Sequence, residues 1–221
     1  MLPKVIIYNA VSLDSRVTGF PADIAKYYEL AGYWKEDATL VGSETMLKSG
    51  EEIPPETAED LRPPVKKEGD TRAILAAVDS RGRLRGWHHW RKLPYWRDMV
   101  ALCSKKTPNE YLRYLEARHV DYIIAGEEHV DLKAALEELD CRYNVKTVRV
   151  DSGGTLNGVL LKKGLVDEVS ILIHPSLVGG KDPLTYYKTD DIPPEGPAIK
   201  LKLTHMEKLE GDLIWLRYKV K

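Results

Sequence analysis

The sequence is poor in cysteine, balanced in charge and free of any long apolar run, and each shortage removes a class of function. Its 33 Lys and Arg nearly cancel its 34 Asp and Glu, so no field of one sign is available to hold nucleic acid or an acidic membrane face. The two cysteines, Cys103 and Cys141, lie far apart without a CxxC or a Cys/His ligand spacing. That pattern fits reduced, buried thiols rather than a disulfide. The adjacent His88 and His89 bring no third ligand at metal spacing, so no metal site is expected. The opening apolar stretch, Val5-Ile6-Ile7, is far too short for a signal segment or a membrane span. These absences describe a cytoplasmic protein whose partner is a small molecule, with neither nucleic acid nor membrane involved.

What is present is a chain of 221 residues, 43% apolar, enough for one large domain with a substantial core. Strand and helix signals alternate along it. Strands are expected at 4–13, 38–42, 72–78, 99–103, 120–125, 147–150 and 166–174, from β-branched or continuous apolar runs ending in polar clusters. Between them come helices. Pro21, Asp23 and the spacing of Ile24, Tyr27, Tyr28 and Ala31 open the first, Ser43-Glu44-Thr45 a short second, and 108–118 and 132–143 the longer ones. Residues 50–69 carry four prolines with Glu and Lys and read as a surface excursion. The stretch from Trp87 to Trp96 has no clean period. The last two apolar stretches, 199–206 and 213–220, flank a Glu210-Gly211-Asp212 turn and should form an antiparallel hairpin. No repeat or linker divides the chain, and the alternation implies an α/β fold with a mostly parallel sheet.

The most informative segment is Asp151-Ser152-Gly153-Gly154-Thr155-Leu156-Asn157-Gly158, which follows the expected strand 147–150 and enters a helix. Glycines let a backbone approach a phosphate closely, and the unpaired amides of a first helical turn, with the helix dipole, attract anions. A tight connection requiring positive φ fits the same residues equally well. The loop lies too late in the chain for the Rossmann fingerprint, which wants its glycines in the first strand-to-helix turn.

Five blocks occur in an order that resembles the reductases of riboflavin biosynthesis, within the dihydrofolate-reductase-like superfamily. They are Asn9-Ala10-Val11-Ser12-Leu13-Asp14, Leu40-Val41-Gly42-Ser43-Glu44-Thr45, Val78-Asp79-Ser80-Arg81-Gly82-Arg83-Leu84, the Asp151 to Leu156 run, and a final block from Leu165 through His174-Pro175 to Gly179-Gly180. The resemblance covers about Val5 to Gly180. It implies a three-layer αβα sandwich, NADPH as cofactor and a homodimer. Thr45, Ser49, Asp79, Ser80, Arg81, Gly126, Gly153, Gly154, Thr155 and Leu156 stand where the family meets its cofactor. Ser80 and Arg81 suit the adenosine 2′-phosphate, because an arginine beside a hydroxyl grips a phosphate with charge-assisted bonds. Asn9, Ser12, Asp14 and Asp151 stand at substrate positions, with Asp14 and Asp151 as the candidate catalytic acids.

The implied reaction reduces the ribosylamino group of a pyrimidine 5′-phosphate to ribitylamino. The resemblance is incomplete: Ser15 and Glu44 replace glycines, and the arginine that usually follows Thr45 in this family is missing, leaving Arg16, Lys48 or Arg62 to stand in. A reductase of the same scaffold acting on another pterin-like or carbonyl substrate therefore stays open, as does a non-catalytic nucleotide-binding protein. The tryptophans between 87 and 96 suit core packing, an apolar dimer patch or a wall for a heterocycle.

Overall fold

The computed structural model describes residues 1–48, 50, 52–65, 67–181, 184–189 and 198–221. Among them the chain runs β1 (Lys4–Ser12), α1 (Ile24–Ala31), β2 (Ala38–Gly42), α2 (Ser43–Leu47), β3 (Ala73–Val78), α3 (Trp87–Lys92), β4 (Trp96–Cys103), α4 (Asn109–Glu116) and β5 (Asp121–Ile124). It continues as α5 (Leu132–Tyr143), β6 (Thr147–Val150), α6 (Gly154–Lys162), β7 (Glu168–His174), β8 (Leu201–Lys208), a 3-10 turn (Glu210–Asp212) and β9 (Ile214–Val220). This is the expected α/β alternation.

Contacts gather the chain into two compact units: residues 1–3 with 36–148, and residues 4–35 with 149–221. In the first, β2, β3, β4 and β5 pair in parallel. Its core holds Leu75, Leu84, Trp87, Trp90, Met99, Tyr111 and Leu115. In the second, β1 and β7 are parallel, β9 is antiparallel to β7, and β8 closes the C-terminal hairpin against β9. Ile6, Tyr8, Tyr27, Trp34, Leu172 and Trp215 form its core.

Helix boundaries follow local chemistry. The Asp23 carboxylate accepts from the Lys26 amide and caps α1, so Pro21 precedes the helix rather than opening it. Asp131 accepts from the amides of Lys133 and Ala134 at the start of α5, and Asn144, at φ 56°, ends that helix in the left-handed conformation. The aperiodic stretch resolves into α3 and the first residues of β4. Trp87 and Trp90 are 0% and 3% exposed, with Trp87 Nε1 donating to the Tyr111 hydroxyl at 3.2 Å, so they are core residues and supply no apolar patch. Cys103 is buried, and burial pushes its thiol up to about 12. Cys141 is exposed, contrary to the expectation for both thiols, because it falls on the outer side of α5. No helix among the described residues is long and apolar enough to cross a membrane.

Candidate functional site

In the second unit, β6 delivers the key carboxylate. Alternation along a strand puts Arg149 and Asp151 on one side, and their side chains pair at 3.1 Å between Nη1 and Oδ2. The other oxygen of Asp151 accepts from the Tyr27 hydroxyl at 3.2 Å. Tyr27 is held in turn by Tyr8: the rings stack at 4.4 Å with planes 3° apart, the Tyr8 hydroxyl donates to Tyr27 O at 3.1 Å, and the single Tyr27 proton is shared between Asp151 and Tyr8 O, the latter at 3.0 Å. Burial, then the nearby Asp151 charge, pushes the Tyr27 phenol well above its ordinary value.

Asn9 comes to the same place from β1. Its Nδ2 donates to Ser152 O at 2.9 Å, and its Oδ1 accepts from Asn157 Nδ2 at 2.9 Å. Asn157, wholly buried, also reaches Tyr186 O at 2.7 Å. Sequence reasoning missed Asn157, Tyr27 and Arg149 as site residues. Only Arg149 left a signal, its two-residue spacing from Asp151.

The turn into α6 corrects the expectation of positive φ. Gly153, the N-cap, has φ −80° and ψ 179°, and Gly154 is not left-handed either. The glycines answer to close approach instead. A Cβ on Gly154 would meet Thr185 O at 2.4 Å and Lys188 N at 3.0 Å, and one on Gly158 would meet Lys188 O at 1.9 Å. The segment 184–189 lies across this face of α6, with the Lys188 amide donating to Gly154 O at 3.0 Å. Gly153 differs: among the described residues nothing lies within 4 Å of its missing Cβ, and none caps the helix with its side chain. Thr155 is exposed and Leu156 half-buried beside it. An anion has room at this helix start, on the Gly153 side.

Ser12 and Asp14 hold a neighbouring loop. The Asp14 carboxylate accepts from the Ser12 hydroxyl at 2.6 Å and from the amides of Gly179 and Val178 at 2.7 and 3.1 Å. Those donors, Ser12 foremost, hold its carboxyl well below the usual carboxylate range. Arg16 is also committed here, donating to Gly180 O at 2.9 Å. Ser15, in place of the family's glycine, sits at φ 66°, the left-handed conformation that explains the glycine elsewhere. A depressed carboxyl contributes stability above its unfolded value of about 3.9 and loses it as the pH falls toward the folded value. The loop 176–180 should therefore lose hydrogen-exchange protection progressively below about pH 4. Asp14→Asn should lack that protection at every pH, and an unmodified loop equally protected throughout would contradict the tether.

In the first unit, Asp79 turns inward. It is 1% exposed, and its Oδ2 accepts from the amides of Arg83 and Leu84 at 2.6 and 2.9 Å, bracing the turn that carries Ser80 and Arg81. The Ser80 hydroxyl accepts from the Val130 amide at 3.0 Å, which joins this turn to the loop of Gly126. Gly126, at φ 84°, has His129 O 2.3 Å from where a Cβ would lie, so only glycine fits. Arg81 is exposed. Glu44, in place of the second family glycine, pairs with Arg83 at 2.6 Å, and Thr45 is exposed on α2. Ser49 lies outside the described residues. Of the three possible replacements for the missing arginine, Lys48 and Arg62 are exposed. His88 and His174 are structural: His88 Nε2 meets Pro54 O at 2.8 Å, and His174 Nε2 accepts from the Asp23 amide at 2.9 Å.

Comparison with known proteins identifies the family and the fold. Over its whole length the chain is 32% identical to the 2,5-diamino-6-ribosylamino-4(3H)-pyrimidinone 5′-phosphate reductase of Methanothermobacter thermautotrophicus, covering 100% of both proteins. All of it superposes on 58% of the RibD chain of Acinetobacter baumannii, with a TM-score of 0.71 and 20% identity. Dihydrofolate reductase from Enterococcus faecalis, solved with NADP(H), shares the fold at a TM-score of 0.52 and 10% identity, over 99% of this chain and 96% of that one. The RibD C-terminal domain family matches residues 3–215. The paired carboxylate after β6, the glycine turn and the braced Ser80 loop are thus set in a dihydrofolate-reductase-like α/β fold, and the chain belongs to the RibD C-terminal domain family.

Proposed function

We propose that this protein is an NADPH-dependent reductase of riboflavin biosynthesis, converting the ribosylamino group of a pyrimidine 5′-phosphate to ribitylamino. The observation that carries the reading is the sequence Asp151, Ser152, Gly153 at the end of β6. A braced carboxylate, 28% exposed, lies beside a helix start open on its Gly153 side, in a chain alike over its full length to a reductase of that substrate. When bound, the cofactor supplies a hydride for the imine carbon formed when the ribose ring opens. The protein's own part is positioning. The amides after Gly153, with Thr155 and Leu156, are assigned to the pyrophosphate, while Thr45, Ser80, Arg81 and Gly126 keep the cofactor positions that the family resemblance gives them. Asp151 is the charge that favours a cationic imine, or the group that relays its proton. Asn9 and Ser12 shape the substrate side, where Asn9 is already oriented by Ser152 and Asn157. Asp14, with its carboxyl depressed, serves there as a fixed negative charge.

The test is to mix the protein with NADPH and that pyrimidine phosphate and follow the loss of NADPH absorbance. No oxidation would sink the reading. NADPH should also bind more tightly than NADH, because Arg81 is exposed on a braced turn. Arg81→Ala should narrow the gap by about 1.5–3 kcal/mol, roughly tenfold to a hundredfold. Equal affinities in the unmodified protein would remove the 2′-phosphate assignment.

A homodimer is proposed as well, with Trp87 and Trp90 excluded from its interface by burial. Leu201, Leu203, Met206 and Ile214 on the terminal hairpin stay exposed and are available to it. A stable pairing of this kind ordinarily buries about 2,000 Å² or more. Light scattering at micromolar concentration should return twice the chain mass, and a monomer mass would contradict it.

A further inference from the structure

We propose that Arg149 and Tyr27 are positioning residues for Asp151, fixing the carboxylate that faces the reacting centre; this rests on the reductase reading above. The two contacts fall on different oxygens, Arg149 on Oδ2 at 3.1 Å and Tyr27 on Oδ1 at 3.2 Å, so rotation about the terminal torsion of Asp151 breaks one or both. Neither partner has slack. Arg149 is 5% exposed and Tyr27 6%, and the Tyr27 ring is locked by its stack on Tyr8 and by the paired hydroxyl-to-carbonyl bonds. Asp151 keeps 28% of its side chain exposed, so the constellation is rigid from within and open outward.

Fold stability alone does not account for these residues. Burying a guanidinium costs desolvation energy, and apolar replacements of buried ion pairs are commonly as stable. The single Tyr27 proton is shared between Tyr8 O at 3.0 Å and Asp151 Oδ1 at 3.2 Å, and a phenol with a carbonyl acceptor at hand does not need the carboxylate in order to be satisfied. What both contacts provide is a charge held in place before the substrate arrives, the arrangement that electrostatic stabilisation of a transition state requires.

A double-mutant cycle separates positioning from a general structural role. Arg149→Met, Asp151→Asn and the double variant are purified, checked by circular dichroism and melting, and measured for kcat in single turnover and for NADPH affinity by fluorescence. Arg149→Met should lower kcat about tenfold or more when Asp151 is intact and less than about twofold in the Asp151→Asn background, with NADPH affinity unchanged in all three. Tyr27→Phe, which deletes one oxygen, is run through the same cycle and decides the matter if Arg149→Met does not fold; it should cost about threefold or more beside the native carboxylate and nothing further beside the amide. Equal factors in both backgrounds, in an active enzyme, would overturn the proposal alone. An unmodified protein that does not oxidise NADPH would remove the reductase reading and the proposal with it.

Discussion

Gly158→Val is expected to destabilise the second unit by about 3 kcal/mol or more, the upper part of the range for overpacking. The obstacle is backbone, not a flexible side chain: Lys188 O lies 1.9 Å and Lys188 C 2.8 Å from the position of the new Cβ. Either α6 or the segment 184–189 must move. Moving that segment breaks the Lys188 amide to Gly154 O and Asn157 to Tyr186 O. Gly153→Val is the control. Its backbone is extended and no described residue comes within 4 Å of the new Cβ, so stability should change by less than about 1 kcal/mol, while the branched side chain blocks the helix start and NADPH affinity falls. Denaturant unfolding of the two variants tests the contrast. A Gly158→Val protein as stable as its parent would show that segment 184–189 does not press on the helix, and a Gly153→Val protein that binds NADPH normally would release the loop from its cofactor assignment.

Asp151→Asn is expected to lower kcat about a hundredfold or more, about 2.7 kcal/mol in the barrier, while leaving NADPH affinity within about twofold. The substitution keeps the shape and removes the charge. Arg149 then faces a neutral amide in place of the carboxylate at 3.1 Å, and that amide oxygen can still accept from Tyr27. Selective loss of turnover is what a group acting on the substrate produces. Steady-state kinetics with a parallel cofactor titration gives the answer, and an Asp151→Asn variant with parental kcat would strip the carboxylate of its role.

Much of this could be read from the residues because it is local. Asp23 at the start of α1, the β-branched runs and the Gly-containing hairpin turn all act within a few positions of themselves, so the strands and the longer helices emerged with boundaries shifted by three residues or fewer. The α3 region did not, because six residues are fewer than two helical turns, and a polar residue, His88, is buried with Trp87 and Trp90, which blurs the apolar spacing. At the site, the motif order pointed to Asp151 and the glycine turn, but the reason for the glycines was hidden. Gly154 and Gly158 are small because of Thr185 and Lys188, some thirty residues later, and no local rule carries that information. Tyr27 shows the same limit. Helical spacing placed it on the inner face of α1, yet its hydroxyl's partner lies 124 positions away.

The contact between α6 and the segment 184–189 also bears on how this sequence can vary by descent. The two stretches share one surface, so neither is free to drift without the other. A larger residue at 154 or 158 demands a displaced chain at 185–188, and a rerouted segment leaves Asn157 without Tyr186 O. Relatives should therefore inherit the small residues and the path of the covering segment together. A chimera that exchanges the helix between two such proteins has to carry the segment with it.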